Sequence, residues 1–144
     1  MASGPALEVK NAAGEEVELA AVRMGPIPLG EVIMTEAGTL PLHSILHAAV
    51  MGQDLHPDPE AAGRAMGKAL QIAGEKRWKK LLIHSFFVGG GRKTQPEVLR
   101  SAIATLVEVL LGGSTLQQVT LLAADEGERS ILHENLLRTI QKQG

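Results

Sequence analysis

The sequence predicts an α/β protein on the basis of three observations. Short aliphatic runs of strand length alternate with longer segments in which apolar residues recur at three-and-four spacing. Prolines and glycines separate these segments, where turns are expected. The 144 residues are about the length of one domain. We therefore expect a single three-layer α/β/α domain over residues 1–144, with a mixed sheet whose strands run parallel where a helix crosses over.

The first half of the chain contains two predicted helices and two predicted strands. An amphipathic helix is expected from Pro5 to about Met24, although Gly14 weakens its middle. A connector rich in proline and glycine precedes the predicted strand Val32–Thr35. The next strand, Leu42–Val50, is aliphatic enough to be buried on both faces. The spacing of alanine, methionine and leucine then predicts a helix from Glu60 to about Arg77.

The second half continues the alternation of strand and helix. Lys80–Phe87 is a predicted strand that leads into three consecutive glycines. A helix follows from Pro96 to about Leu111, and paired glycines close it. The last predicted elements are the strand Leu116–Ala123 and the amphipathic helix from Glu128 to about Lys142.

Composition excludes several classes of protein. The formal charge of -2 removes the basic field that general nucleic-acid binding requires, and an aromatic content of 2% leaves few stacking surfaces. Because cysteine is absent, disulfides and thiolate chemistry are excluded, and a cytoplasmic location is expected. We find neither a membrane-spanning apolar run nor a signal peptide. The scattered histidines predict no metal site, and no cofactor is expected.

The loop after the predicted strand Lys80–Phe87 is the main candidate ligand site. Several backbone N–H groups and two cations could converge there on an anion, since glycine permits close approach. The equally weighted alternative is a flexible connector before a capped helix. The loop departs from the nucleoside-triphosphate pattern at both glycine positions and lacks the dinucleotide-binding spacing. The candidate residues are Gly89, Gly90, Gly91, Arg92, Lys93 and Thr94.

Three motifs make the sequence similar to macro domains, and the resemblance extends over essentially the whole chain. The loop FVGGGRKTQP resembles the family's phosphate loop at Gly89, Gly91 and Pro96, whereas Gly90 stands in place of a threonine and Lys93-Thr94 in place of a glycine pair. Upstream, Gly4 and Ala13-Gly14 align with the family's first ligand loop and the helix after it. The central motif matches at Gly30, Glu31, Val32, Thr35, Ala37, Gly38, Leu40, Pro41, His47, Ala48 and Val50.

The resemblance implies binding of ADP-ribose or a related nucleotide, and possible contact with ADP-ribosylated proteins. It places Ser3, Gly4, Pro5 and Ala6 opposite the glycine loop. It also implies that the family's first strands are missing, together with an aspartate that contacts adenine and an asparagine that contacts ribose. Because Ala6 aligns with the aspartate used by the family's hydrolases, the resemblance favours a binding module over an enzyme.

Two alternatives remain open at this point. The chain could be a structural or interaction module without a ligand, forming a homo-oligomer through an exposed sheet edge. It could also be a weak hydrolase of O-acetyl-ADP-ribose or of ADP-ribosyl esters.

Overall fold

Five helices and four strands make up the regular structure in the part of the chain that the structure describes. The computed structural model describes residues 4–51, 56–84, 96–123 and 125–143. The order is that of an α/β protein, as predicted. The elements are α1 (Gly4–Ala13), α2 (Glu15–Arg23), β1 (Val32–Glu36), β2 (Ser44–Ala48), α3 (Pro59–Glu75), β3 (Lys80–Ile83), α4 (Pro96–Leu111), β4 (Gln118–Leu121) and α5 (Glu126–Gln143).

The N-terminal helical segment is two helices, so the prediction of one continuous helix to Met24 was wrong. Gly14 separates α1 from α2 and has φ +104, a conformation that L side chains rarely adopt. Such a residue cannot continue a right-handed helix, and glycine adopts this conformation without a steric penalty. The chain therefore changes direction at Gly14, and α2 packs against β1.

The strands form two separate two-stranded sheets among the described residues, where the sequence predicted one mixed sheet. β1 and β2 pair antiparallel, with Ile33 opposite His47. β3 and β4 pair in parallel, as expected for strands joined by the crossover helix α4. Both strand directions are thus present. No strand of the described ranges joins β2 to β3, which is why the sheets are separate.

β2 and β4 are shorter than the sequence predicted, whereas β1 extends one residue beyond the predicted Val32–Thr35, to Glu36. β2 is Ser44–Ala48 instead of Leu42–Val50, and its residues are partly exposed instead of buried on both faces. β4 is likewise shortened, to Gln118–Leu121. β3 ends at Ile83, and the predicted continuation to Phe87 lies outside the described residues. Strands with one open edge or one open face have fewer neighbours to bury them than central strands have.

The core lies between α3, α4 and the β3–β4 sheet. Asp58 begins α3 by accepting hydrogen bonds from the backbone N–H groups of Glu60 and Ala61, at 2.9 and 3.3 Å. Small residues let α3 approach α4 closely, since a Cβ on Gly63 would lie 2.6 Å from Ser101 Oγ. A second cluster joins α4 to α5. The first cluster contains Ala62, Met66, Leu70, Val98, Ala102 and Leu106, with Leu81, Ile83, Val119 and Leu121 packed against it.

The turn after β1 holds the C-terminal end of α1. Thr39 donates its backbone N–H to the Ala13 carbonyl at 2.9 Å and its hydroxyl to the Ala12 carbonyl at 2.8 Å. Carbonyls in the last turn of a helix have no intrahelical partner, so these two bonds satisfy groups that would otherwise need water. Gly38 has φ +60, and a Cβ there would lie 2.1 Å from Ala13 oxygen. The close approach of α1 to this turn therefore requires glycine.

None of the helices in the described ranges is long and apolar enough to cross a membrane.

Replacing Gly38 with alanine tests the contact between α1 and this turn. We expect Gly38→Ala to lower the free energy of unfolding by at least about 2 kcal/mol, because the left-handed conformation and the clash with Ala13 both add a cost. Gly25→Ala is the matched control, since Gly25 has φ +79 but no atom within 4 Å of its added Cβ. Urea denaturation measures both variants. Equal losses of stability would contradict the contact.

Candidate functional site

The carboxyl ends of β3 and β4 define one edge of the parallel sheet. The two strands run side by side, and Leu122 donates its N–H to the Ile83 carbonyl at 2.9 Å beyond their last paired residues. α4 begins at Pro96 after β3, and α5 begins at Glu126 after β4. Ligands of α/β sheets bind outside the carboxyl ends of the strands. This edge is therefore where a ligand site is expected.

Helix α1 reaches the same edge through a polar contact between two side chains. Glu8 Oε2 lies 3.0 Å from His84 Nε2, and His84 follows β3 directly. Gly4 precedes Glu8 by about one helical turn, so the N-terminal end of α1 is close to the carboxyl end of β3. The first turn of α1 contains no acidic residue. The partial positive charge at this end of the helix is therefore not neutralised by a side chain in its own first turn.

Of the two groups of site residues predicted from the sequence, the structure describes only part of the first. Gly4, Pro5 and Ala6 form the first turn of α1 at the carboxyl edge. Ser3 lies outside the described residues, and so do Gly89, Gly90, Gly91, Arg92, Lys93 and Thr94. Their roles stay predictions. The described residues at either end of the second group are His84, which is paired with α1, and Pro96, which begins α4.

Asp125 has a structural role at this edge. Asp125 Oδ1 accepts the backbone N–H of Glu128 at 2.8 Å, which is the contact of a helix N-cap. Glu128 is only 4% exposed, although on sequence alone it belongs to an ordinary solvated helix face. Its burial and the Glu8–His84 pair are features that sequence reasoning missed, because each depends on contacts between distant elements.

The central motif of the sequence builds the β1–β2 sheet and its supports. Thr35 Oγ1 and His47 Nε2 share a hydrogen bond of 2.8 Å across this sheet. Glu31 forms an ion pair with Lys68 of α3. Gly30 donates its N–H to the Ala49 carbonyl at 2.7 Å, and a Cβ there would lie 2.5 Å from Arg64 Nε. These residues stabilise the scaffold, and the described contacts put none of them at the carboxyl edge.

The described ranges contain no group of three or more side chains suited to hold a metal ion.

The fold and this edge define an α/β protein with a candidate ligand position beyond its strand ends. Comparison with known families is more specific, because the Macro domain family matches residues 1–100. The chain belongs to the macro domain family.

Known relatives and solved structures agree with this membership. An uncharacterised protein of Aquifex aeolicus is 30% identical over 127 residues, which are 88% of this chain and 76% of the relative. A mutant of the Oceanobacillus iheyensis macrodomain is 26% identical with a TM-score of 0.81, and the match covers 96% of this chain and 79% of that chain. Another structure of that macrodomain, with ADP, is 24% identical with a TM-score of 0.78, over 96% and 77% of the two chains.

Acid should destabilise the protein through His47. Burial lowers the pKa of the His47 ring, so the unfolded chain binds a proton more readily than the native state does. The contribution of His47 to the free energy of unfolding is complete above the usual histidine pKa of about 6.5. It is lost as the pH falls towards the lower pKa of the native state. We expect the free energy of unfolding to decrease from pH 8 to pH 5, and this slope to be shallower in His47→Gln.

The exposed residue His133 supplies the control for this experiment. His133→Gln should keep the full pH slope in urea denaturation. A slope that is unchanged in His47→Gln would contradict the assignment to His47.

Proposed function

We propose that this chain binds ADP-ribose or a related nucleotide diphosphate at the carboxyl edge of the β3–β4 sheet. The diphosphate would be bound by Gly89–Thr94 and the N-terminal end of α4. Ser3, Gly4, Pro5 and Ala6 would contact the ligand from the other side. Membership of the macro domain family supports the class of ligand, as do the macrodomain structures of Oceanobacillus iheyensis and Trypanosoma brucei in complex with ADP.

The observation that carries the proposal is the contact between Glu8 and His84. It joins the helix that contains Gly4–Ala6 to the strand whose continuation leads to Gly89–Thr94. Two segments that are more than eighty positions apart in sequence are thus connected to neighbouring points of one edge. An extended nucleotide diphosphate that contacts both segments needs this proximity.

Backbone N–H groups at these positions can supply the free energy that binding of a diphosphate requires. A hydrogen bond to a charged group contributes about 1.5 to 3 kcal/mol, and glycines permit the close approach that such bonds require. A dissociation constant of 1 μM corresponds to about -8 kcal/mol, so a few such bonds and the helix N-termini are sufficient for micromolar binding. Arg92 and Lys93 add positive charge next to the glycines.

The proposal is for binding and does not include catalysis. Ala6 occupies the position of the hydrolase aspartate in the resemblance, and a methyl group cannot polarise water. We expect no turnover of O-acetyl-ADP-ribose. ADP-ribosylated proteins are the macromolecular partners that fit this site, and the absence of cysteine fits a cytoplasmic location.

A second candidate function is an interaction module without a nucleotide ligand. The observation that favours it is the separation of the strands into two small sheets, because unpaired strand edges are surfaces on which another strand can pair. Association of two copies through such an edge is one form of this function.

Titration calorimetry with ADP-ribose tests the nucleotide site. We expect saturable binding by the parent chain and at least a tenfold loss in Gly90→Glu, because a carboxylate in the glycine loop fills space and repels the diphosphate. Gly74→Glu is the matched control, since it adds the same charge at an exposed helical glycine with no atom within 4 Å of the added Cβ.

The outcomes separate the two candidate functions. Binding that is lost in Gly90→Glu and kept in Gly74→Glu, with unchanged circular dichroism, supports the nucleotide site. No heat from the parent chain at millimolar ADP-ribose would contradict it and would favour the interaction module. Equal loss in both variants would place the ligand elsewhere.

A further inference from the structure

The turn between α3 and β3 concentrates positive charge. Residues 76–80, which we call the basic turn, read KRWKK, so four of the 14 lysines and arginines lie within five positions. All four cations are exposed, and none of them forms an ion pair with a residue of the described ranges. The preceding acidic residue, Glu75, accepts a hydrogen bond from Gln71 of α3 at 3.1 Å. Because the formal charge of the chain is -2, the basic turn is a local positive feature of an acidic protein.

Backbone hydrogen bonds hold the basic turn in place. Lys76, Arg77 and Trp78 donate their N–H groups to carbonyls in the last turn of α3, at 3.0, 3.1 and 2.9 Å. The Trp78 carbonyl accepts the hydroxyl of Thr115 at 3.1 Å, and the Lys79 carbonyl accepts the first N–H of β4 at 3.1 Å. The cations thus project from a fixed backbone, which lowers the entropic cost of binding a ligand.

Arg77 carries its charge at a position that favours glycine. It has φ +55 and follows Lys76, the C-cap of α3. Helices commonly end on glycine at this position, because an L side chain is crowded in the left-handed conformation. The basic turn therefore has one cation that can be replaced by glycine without loss of a favourable backbone conformation.

Trp78 adds a flat ring in the middle of the cations. Its side chain is partly exposed, and its ring lies against that of His43, with centroids 6.0 Å apart and an angle of 59° between the planes. Aromatic rings are the faces on which the bases of single-stranded nucleic acids stack, while cations beside them contact the phosphates. The basic turn combines both features.

An acidic peptide is the other polyanion that this charge would attract, and it fits the turn less well. Its carboxylates could contact the cations, but it has no flat group that requires Trp78. A flexible single strand also suits the size of the surface, because five residues span at most about 17 Å even when fully extended. That length accommodates a few nucleotides.

We propose that the basic turn binds a short single strand of nucleic acid, with phosphates at the four cations and a base against Trp78. The surface goes beyond nucleotide binding, because it lies at the amino end of β3 and not at the carboxyl edge. Lys76 and Arg77 end α3 before the strand begins, so the surface does not depend on how the outer edge of β3 is paired. Binding is salt-dependent and without sequence preference, which differs from the broad coating that the overall charge excludes.

Fluorescence titration with an eight-nucleotide oligothymidylate tests the proposal, since Trp78 is the only tryptophan of the chain. We expect saturable quenching at low ionic strength. The logarithm of the association constant should fall with the logarithm of the salt concentration, with a slope of about -2 to -3, because each phosphate contact on a single strand contributes about -0.7. Excess ADP-ribose should not displace the oligonucleotide.

Arg77→Gly separates binding from folding. We expect this variant to bind the oligonucleotide at least about threefold more weakly and with a salt slope shallower by about 0.7, because one phosphate contact is lost. Its free energy of unfolding should be unchanged or higher, since glycine adopts the left-handed conformation without a steric penalty. Lys142→Gln is the control, because it removes the same charge at an exposed position in the last turn of α5 and should leave binding unchanged.

Three results would overturn the proposal. They are the absence of quenching at low ionic strength, equal affinity of Arg77→Gly and the parent chain, and displacement of the oligonucleotide by ADP-ribose, which would place the strand at the carboxyl edge. An octaglutamate peptide provides the last comparison. If it competes as tightly as the oligonucleotide binds, the occupant is an acidic segment of a protein, and the assignment to nucleic acid is wrong.

Discussion

The position of α1 is the constraint on which the arrangement of this protein depends. At its C-terminal end the helix is bound by the turn after β1, where Thr39 bonds to Ala12 and Ala13 and Gly38 permits the close approach. Towards its N-terminal end, Glu8 pairs with His84 after β3. One helix thus connects the antiparallel sheet to the parallel sheet. It also directs the first turn, Gly4–Ala6, to the edge where a ligand is expected.

The helical core stabilises the two sheets from another side. α3 packs along α4, and the strands β3 and β4 contribute partly buried side chains to the same cluster. α3 also contacts β1 and β2, so the sheets share a helix although no hydrogen bond joins them in the described ranges. Much of the apolar burial is therefore between helices. This explains how two small, separate sheets can coexist with an ordered aliphatic core.

Local patterns predicted the helices well and the strands less well, for physical reasons. The helix α4 has the predicted bounds, because Pro96 and the glycines after Leu111 act on their immediate neighbours. Gly14 breaks the first helix through its own φ, a value that residue identity suggests but does not determine. Strand pairing joins distant residues, so the division into two sheets could not be read from periodicity. The resemblance to macro domains, which the family match confirms, suggested the ligand loops, whereas the Glu8–His84 contact required the fold.

The central claim is that the first turn of α1 and the end of β3 form two sides of one nucleotide site. Titration of the ¹⁵N-labelled chain with ADP-ribose, followed by amide chemical shifts, tests this claim most directly. The account predicts that Gly4, Ala6, His84 and Glu97 are among the amides whose shifts change together, with one saturation curve. Saturable changes confined to amides distant from this edge, or none at millimolar ligand, would contradict it.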